Sequence, residues 1–296
     1  MAIEVSHTAE ISHLGFGLGL RIPHYPHIFE NWPDVDFFEV ISENFMNASG
    51  IPLYNLDRIA ERYPILLHGV CLSLGSADPL DFDYLKKLKA LADRVNAPWF
   101  SDHLCWTRFG GHHYHDLYPL PYTEKTVRYV ADRARIVQDY LERPFGIENL
   151  SAVVESSLNK MPEWEFYRGV VELADCKMML DVNNIYVSSR NQGFDPHEYV
   201  RGLDLSRVQQ MHLAGHNDMG AYVLDTHDQP VRDEVWELYK AAYAGCGGAA
   251  TMVEWDDEIP SFERVHAEVL KAKEMVVGKD KDKKLFSEPP RLVIPA

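Results

Sequence analysis

Cysteine is scarce: four residues in 296, Cys71, Cys105, Cys176 and Cys246, with no C-x-x-C pair among them. That excludes a zinc knuckle and a disulfide framework as the source of stability. Cys176 and Cys246 read as small buried apolar residues. Cys71 and Cys105 take the same reading, although each closely follows a histidine of interest. Positive charge is scarce too. Against 45 acidic side chains stand 29 Lys and Arg, for a net charge of −16, and no basic stripe is visible. A phosphate backbone is therefore an unfavourable partner, and no nucleic acid is expected. No apolar run is long enough to cross a membrane, and MAIEVSHTAEISHLG lacks the basic start and apolar core of a secretory signal, so a cytoplasmic protein with no membrane partner is expected. Internal repeats and low-complexity linkers are also missing from the body of the chain.

What is present is an alternation. Eight short β-like runs, Leu14–Leu20, Asp36–Ile41, Ile65–Val70, Trp99–His103, Phe145–Asn149, Lys177–Val182, Val208–Ala214 and Thr251–Trp255, are separated by helix-length amphipathic segments. Several runs are almost continuously apolar, as strands covered on both faces must be. Between them the period changes. Leu85, Leu88, Leu91, Ala92 and Val95 fall on one helical stripe, as do Val127, Val130, Ala131, Ala134, Val137 and Leu141 behind a Thr123 cap. Val231, Val235, Leu238, Tyr239 and Ala242 predict a third helix with Pro230 near its first turn, and Asp228 just before that proline as an ordinary cap. Eight strand-then-helix units predict an α/β fold, a single-domain (β/α)8 TIM barrel over residues 1–277. After Val277 the pattern stops at GKDKDKKLFSEPPRLVIPA, which reads as a tail, 278–296, flexible or docking on a partner.

A barrel carries its chemistry at the C-terminal ends of its strands and in the following loops. His68 ends the third run, Asp102 and His103 the fourth, Glu148 and Asn149 the fifth and Asp181 the sixth, with Asn183 and Asn184 just beyond; His212 lies in the seventh and Glu254 in the eighth. The loop after the seventh adds His216, Asp225 and His227. Each has an ordinary reading alone: a hydrogen-bonded core histidine, an ion-paired glutamate, an Asp181 helix cap. Jointly they do not. The acids meet no lysine or arginine at equivalent positions, so repulsion among Glu148, Asp181, Asp225 and Glu254 must be relieved by protons or cations, and four histidines nearby favour cations. His68, His103, Glu148, Asp181, His212, Asp225, His227 and Glu254 exceed one tetrahedral site, and bridging carboxylates would serve two or three ions. Nitrogen and oxygen donors suit zinc, manganese or non-haem iron. Asn184, His216, Asp102, Asn149 and Asn183 are further polar groups at the same strand ends and loops.

The segments LLHGVCLSLGS, SDHLCW, LPLPYT, IENLS, LDVNNIYVSSRNQGFDP, MHLAGH, DTHDQPV and VEWDDEIP resemble, in order and from Leu14 to about Met275, the DUF692 or UPF0276 family. These are the multinuclear non-haem iron-dependent oxidative enzymes, which include the methanobactin biosynthesis iron enzyme, the thiaglutamate pathway enzyme and bufferin-maturing relatives. The resemblance implies a TIM barrel holding two or three iron ions, mixed Fe(II) and Fe(III), that uses O2 to modify a residue of a ribosomally made precursor peptide: commonly Cys, in other members Asp or Asn. It implies one iron on His68, His103 and Glu148, a second on Glu148 with Asp181, His212 and Glu254, and a third on Asp225 and His227. Glu148, Asp181, His212 and Glu254 would then stand at the catalytic centre. It also implies Asn184 and His216 as further ligands or groups that orient them, Asp102, Asn149 and Asn183 as orienting groups, Arg190 as a holder of a peptide carboxylate or carbonyl, and a separate leader-binding partner protein. The competing expectation is a zinc or manganese TIM-barrel hydrolase or sugar isomerase of the endonuclease IV or xylose isomerase type. Strong acidity opposes the DNA enzyme, and the strand-end set has no lysine of the kind an isomerase keeps near its metals.

Overall fold

The computed structural model describes residues 13–278. Its strands in chain order are β1 (Phe16–Gly19), β2 (Phe37–Ile41), β3 (Ile65–Gly69), β4 (Phe100–His103), β5 (Trp106–Phe109), β6 (His112–Tyr118), β7 (Phe145–Glu148), β8 (Lys177–Asp181), β9 (Val208–Leu213), β10 (Asn217–Asp218), β11 (Val223–Leu224) and β12 (Ala250–Val253). Eight of them close into one parallel barrel in the order β1–β12–β9–β8–β7–β4–β3–β2, with β1 pairing both β12 and β2. Each expected run contributes one barrel strand, and helices lie between them, as a single-domain TIM barrel requires. The two remaining pairs, β5 with β6 and β10 with β11, are antiparallel hairpins in the segments that follow β4 and β9. They stand on the C-terminal face of the barrel.

Side chains alternate across each strand, so one set meets the helices and the other fills the barrel. Phe38, Val40, Leu67, Phe100, Ile147 and Leu180 join the large outer core with the helices. Phe37, Leu66, Trp99, Ala250 and Met252 form a second apolar cluster, the floor of the interior. Two or four residues further along the same strands the inward positions become polar: Glu39 after Phe37, His68 after Leu66, Ser101 and His103 after Trp99, Glu254 after Met252. The step from apolar floor to polar upper layer is therefore written at period two. Space for the floor comes partly from Gly17, where a Cβ would come within 2.5 Å of the Phe37 ring. A register irregularity between β8 and β9 pairs Met178 with Val208 but Met179 with Gln210, and so sets Asp181 opposite His212.

The helices bury the expected stripes. In the helix Phe82–Val95, capped by the Asp81 side chain, Leu85, Leu88, Leu91, Ala92 and Val95 are all buried, each such apolar side chain larger than alanine contributing about 1.5–3 kcal/mol relative to exposure. Thr123 caps the helix Glu124–Leu141 as read. The third helix starts later than its apolar pattern suggests, at Asp233 with Arg232 as its cap. Pro230 and Val231 precede it, and Asp228 is occupied by Asn217 and Thr226 instead of capping. Cys105 and Cys176 are buried, whereas Cys71 and Cys246 are only partly so, and all four are free thiols. No helix of the described residues is long and apolar enough to cross a membrane. The last helix ends at Val277; the reading of 278–296 as a tail lies, beyond Gly278, outside the described residues.

Candidate metal centre

Three strand ends build the first corner. His68 ends its polar register on β3, His103 closes β4 and Glu148 closes β7, all buried. Nε2 of His68 lies 3.2 Å and Nε2 of His103 3.1 Å from Glu148 Oε2. The far nitrogens are engaged: Nδ1 of His103 meets the Gly69 carbonyl at 3.0 Å, and Nδ1 of His68 meets Ser101 Oγ at 2.9 Å. A carbonyl only accepts, so Nδ1 of His103 carries the proton and Nε2 is left as a lone pair facing a carboxylate oxygen. Glu148 Oε2 is buried and takes no hydrogen bond among the described residues. Two lone pairs held face to face in a dry interior call for a cation between them.

Three overlapping sets of donor atoms follow, each within 4.8 Å: His68, His103 and Glu148; Glu148, Asp181 and His212; Asp181, His227 and Glu254. Glu148 and Asp181 each belong to two sets. Asp181 Oδ1 caps its own helix by accepting from Asn184 N at 2.6 Å, so the ordinary cap and the site use different oxygens of one carboxylate. The other, Oδ2, is buried without a hydrogen bond among the described residues, as is Oδ1 of Asn184. Asn149 clamps the Asp181 backbone with Nδ2 to its carbonyl at 2.9 Å and Oδ1 to its N–H at 3.0 Å.

The loop after β9 supplies the third set. Gly215 lets it fold back, since a Cβ there would lie 2.0 Å from the Gln229 carbonyl oxygen. His227 adopts a left-handed φ of 50°, unusual for a non-glycine residue, and is fixed by its N–H on the Gly215 carbonyl and its own carbonyl on Asp256 N. Asp225 falls outside the three sets. Its Oδ1 lies 2.7 Å from His227 Nε2 and accepts from Asn183 Nδ2 at 2.6 Å. Asn183 Oδ1 in turn meets His216 Nδ1 at 2.7 Å. His216 and Asn183 thus reach the centre through Asp225.

Asp102 lies outside the barrel interior, accepting from the N–H groups of His103 and Leu72. Arg190 is exposed and donates to the Tyr186 hydroxyl at 3.1 Å. Two neighbours escaped the sequence reading. Arg21, in the segment after β1, pairs with Asp256 and stands 3.9 Å from Glu254, which corrects the expectation that the acids meet no lysine or arginine. Glu39 on β2 is buried 3.1 Å from His212 Nε2. Its signal was available, an acid inside the apolar run DFFEVI.

The electrostatics match the crowding. Burial pushes His68 and His103 down to about 3, leaving both rings neutral. Burial also holds the Glu148 carboxyl well above the usual carboxylate range, and burial together with the Asp225 charge pushes Asp181 up to about 7. Burial opposes charge on His212 and His227, but Glu39 and Glu254 outweigh it at the first and Asp225 and Glu254 at the second, so both are raised. In this arrangement protons occupy places that cations would take. The thiols do not compete. Burial and the Glu43 charge push Cys71 up to about 12, and burial raises Cys105 far above its ordinary value.

A family model described as "RiPP precursor modification enzyme MbnB/TglH/ChrH" matches residues 15–277. A UPF0276 protein of Caulobacter vibrioides is 50% identical over 86% of this chain and 91% of its own length, and one from Acaryochloris marina is 46% identical over 87% and 93%. Among solved structures, endonuclease IV from Thermus thermophilus superposes with a TM-score of 0.56 at 14% identity, covering 90% of this chain and 98% of that one. A D-tagatose 3-epimerase-like protein does so at 0.56 and 14%, covering 89% and 96%. At such identities these two structures share the barrel alone.

Proposed function

The chain belongs to the family of RiPP precursor modification enzymes, and on that premise we propose that it oxidises a residue of a ribosomally made precursor peptide, using O2 and two or three iron ions. The observation that carries this reading is the sharing of Glu148 and Asp181 between adjacent donor sets, each with a buried oxygen that takes no hydrogen bond among the described residues. Nitrogen and oxygen donors with no thiolate suit non-haem iron. When bound, the ions supply O2 activation and one-electron redox chemistry that no side chain of the site offers.

The chain's own residues do the holding. His68, His103 and Glu148 take one ion, Glu148, Asp181 and His212 a second, and Asp181, His227 and Glu254 a third, with Asn184 Oδ1 free to join. Relative to the assignment that the resemblance implies, Glu254 moves from the second set to the third, Asp181 is shared by both, and Asp225 becomes the group that orients His227. Ser101, Gly69 and Asn149 fix the donors, so little reorganises as ions arrive. The apolar floor of Phe37, Leu66, Trp99 and Met252 closes the barrel from below, so peptide and O2 enter from the C-terminal face. There Arg190 would hold a peptide carboxylate or carbonyl. The target residue is Cys first, Asp or Asn second, and a separate leader-binding protein delivers the precursor.

The test is O2 uptake by iron-loaded protein with the precursor peptide encoded beside its gene. Peptide-dependent O2 consumption with a change in peptide mass is expected. Full iron loading with neither would refute the proposal.

A further inference from the structure

Glu39 lies below the donor sets on a strand that contributes to none of them, and its partners fix its role. The Trp99 indole N–H, which can only donate, reaches Gln210 Oε1 at 2.8 Å. That bond sets which end of the Gln210 amide is oxygen. Gln210 Nε2 therefore donates to Glu39 Oε2, and its NH2 also lies 3.0 Å from His212 Nε2. Glu39 Oε1 is 3.1 Å from the same His212 nitrogen. All of these groups are buried. His212 Nε2 thus faces one acceptor, Glu39 Oε1, and one donor, the Gln210 amide, so whenever Nδ1 gives its lone pair to a metal the proton on Nε2 has Glu39 as its acceptor. The other ring nitrogen, Nδ1, faces upward, 3.0 Å from Glu254 Oε2 and 4.0 Å from Glu148 Oε1.

We propose that Glu39 is a positioning residue: with Gln210 and Trp99 it holds His212 in the Nε2–H form, so that His212 offers its Nδ1 to the metal centre while His68 and His103 offer Nε2. The inference rests on the metal reading above, and concerns which nitrogen is presented and what enforces the choice. An isosteric Glu39→Gln change is then not conservative. The introduced amide cannot accept from both Gln210 and His212. If its oxygen serves Gln210, its NH2 confronts His212 Nε2 and drives the proton to Nδ1, removing the donor pair. Exchanging the two side chains, Glu39→Gln with Gln210→Glu, restores the logic. The introduced carboxylate at position 210 accepts from Trp99 and from the amide at position 39, whose oxygen again accepts from His212.

Zinc serves as a diamagnetic probe, read by heteronuclear NMR of isotopically labelled histidine side chains and by metal analysis. In the zinc-loaded wild-type protein His212 should show Nε2–H with Nδ1 bound, and His68 and His103 the reverse. Glu39→Gln should weaken retention of the ion on Glu148, Asp181 and His212 by about 10- to 100-fold, and the exchanged pair should restore it. Zinc bound through His212 Nε2, unchanged retention in Glu39→Gln, or no recovery in the exchanged pair would overturn the proposal. A wild-type protein that binds no zinc and no iron would instead overturn the metal reading on which it rests.

Discussion

Asn149 and Asp181 are joined by two reciprocal hydrogen bonds, the Asn149 amide taking both the carbonyl and the N–H of Asp181 at 2.9 and 3.0 Å. The backbone register between β7 and β8 runs only to the pair Glu148 and Met179, so this side chain continues the ladder past Glu148. It thereby sets the spacing of the two shared carboxylates.

Asn149→Ala should cost about 1–3 kcal/mol for each backbone group it orphans. Because Asp181 would also lose its fixed position, metal content should fall together with stability. Denaturant unfolding of the metal-free protein and metal analysis of the loaded one check the two effects separately.

Glu148 belongs to two donor sets. Glu148→Ala should therefore remove more than one ion while relieving a buried acid, so the metal-free protein should be no less stable than wild type. Metal analysis of the purified variant provides the check, and loss of at most a single ion would contradict the assignment.

His227 belongs to one set, and Asp225 acts on it at 2.7 Å. His227→Ala should strip one ion and leave the others, with the barrel folded. Asp225→Ala should weaken the same ion without abolishing it, since Glu254 and Asp256 still lie 3.4 and 3.1 Å from His227 Nδ1. Metal analysis should find one ion missing from His227→Ala, and stepwise chelation of Asp225→Ala should find the same ion leaving first.

Glu163, at the start of the helix Glu163–Ala174 and outside the donor sets, gives a pH signature of stability. Burial pushes its carboxyl from 4.5 up to about 8, while Tyr199 bonds it at 3.1 Å. A folded-state value above the unfolded one means that the folded chain holds the extra proton. The stabilising effect is complete below about 4.5 and is lost as pH rises through about 8. Glu163→Gln keeps an acceptor for Tyr199 without the charge. The stability difference in its favour should grow by about 1.4 kcal/mol per pH unit within that window, as measured by unfolding at a series of pH values.

The barrel was legible because most strands are apolar runs whose ionisable donors gather toward the C-terminal end, as in ILLHGV and KMMLDV. Period and position together name the inward side chains. Glu39 carried the same signal on the second run. It sits nearer the floor, below the layer where strand-end residues gather, and only the observed packing against Gln210 and His212 separates it from an ion-paired core acid. Asp225 shows the opposite limit. A one-residue interval from His227 suggests a shared ligand pair, yet the left-handed backbone at His227 turns the two side chains toward each other. The β5–β6 hairpin went unread although Gly110 and Gly111, both at positive φ, mark its turn, because its second strand opens on exposed polar residues, His112, His113 and His115, with no apolar alternation. Arg21 could be placed beside Glu254 only by closure of the barrel, which brings β1 against β12.

The central claim is that the shared carboxylates hold several iron ions. Mössbauer spectroscopy with metal analysis on iron-enriched, anaerobically purified protein tests it most directly. The account predicts two or three irons per chain with both Fe(II) and Fe(III) signals, reduced in number by Glu148→Ala. Zinc alone at full occupancy, with no iron signal, would contradict it.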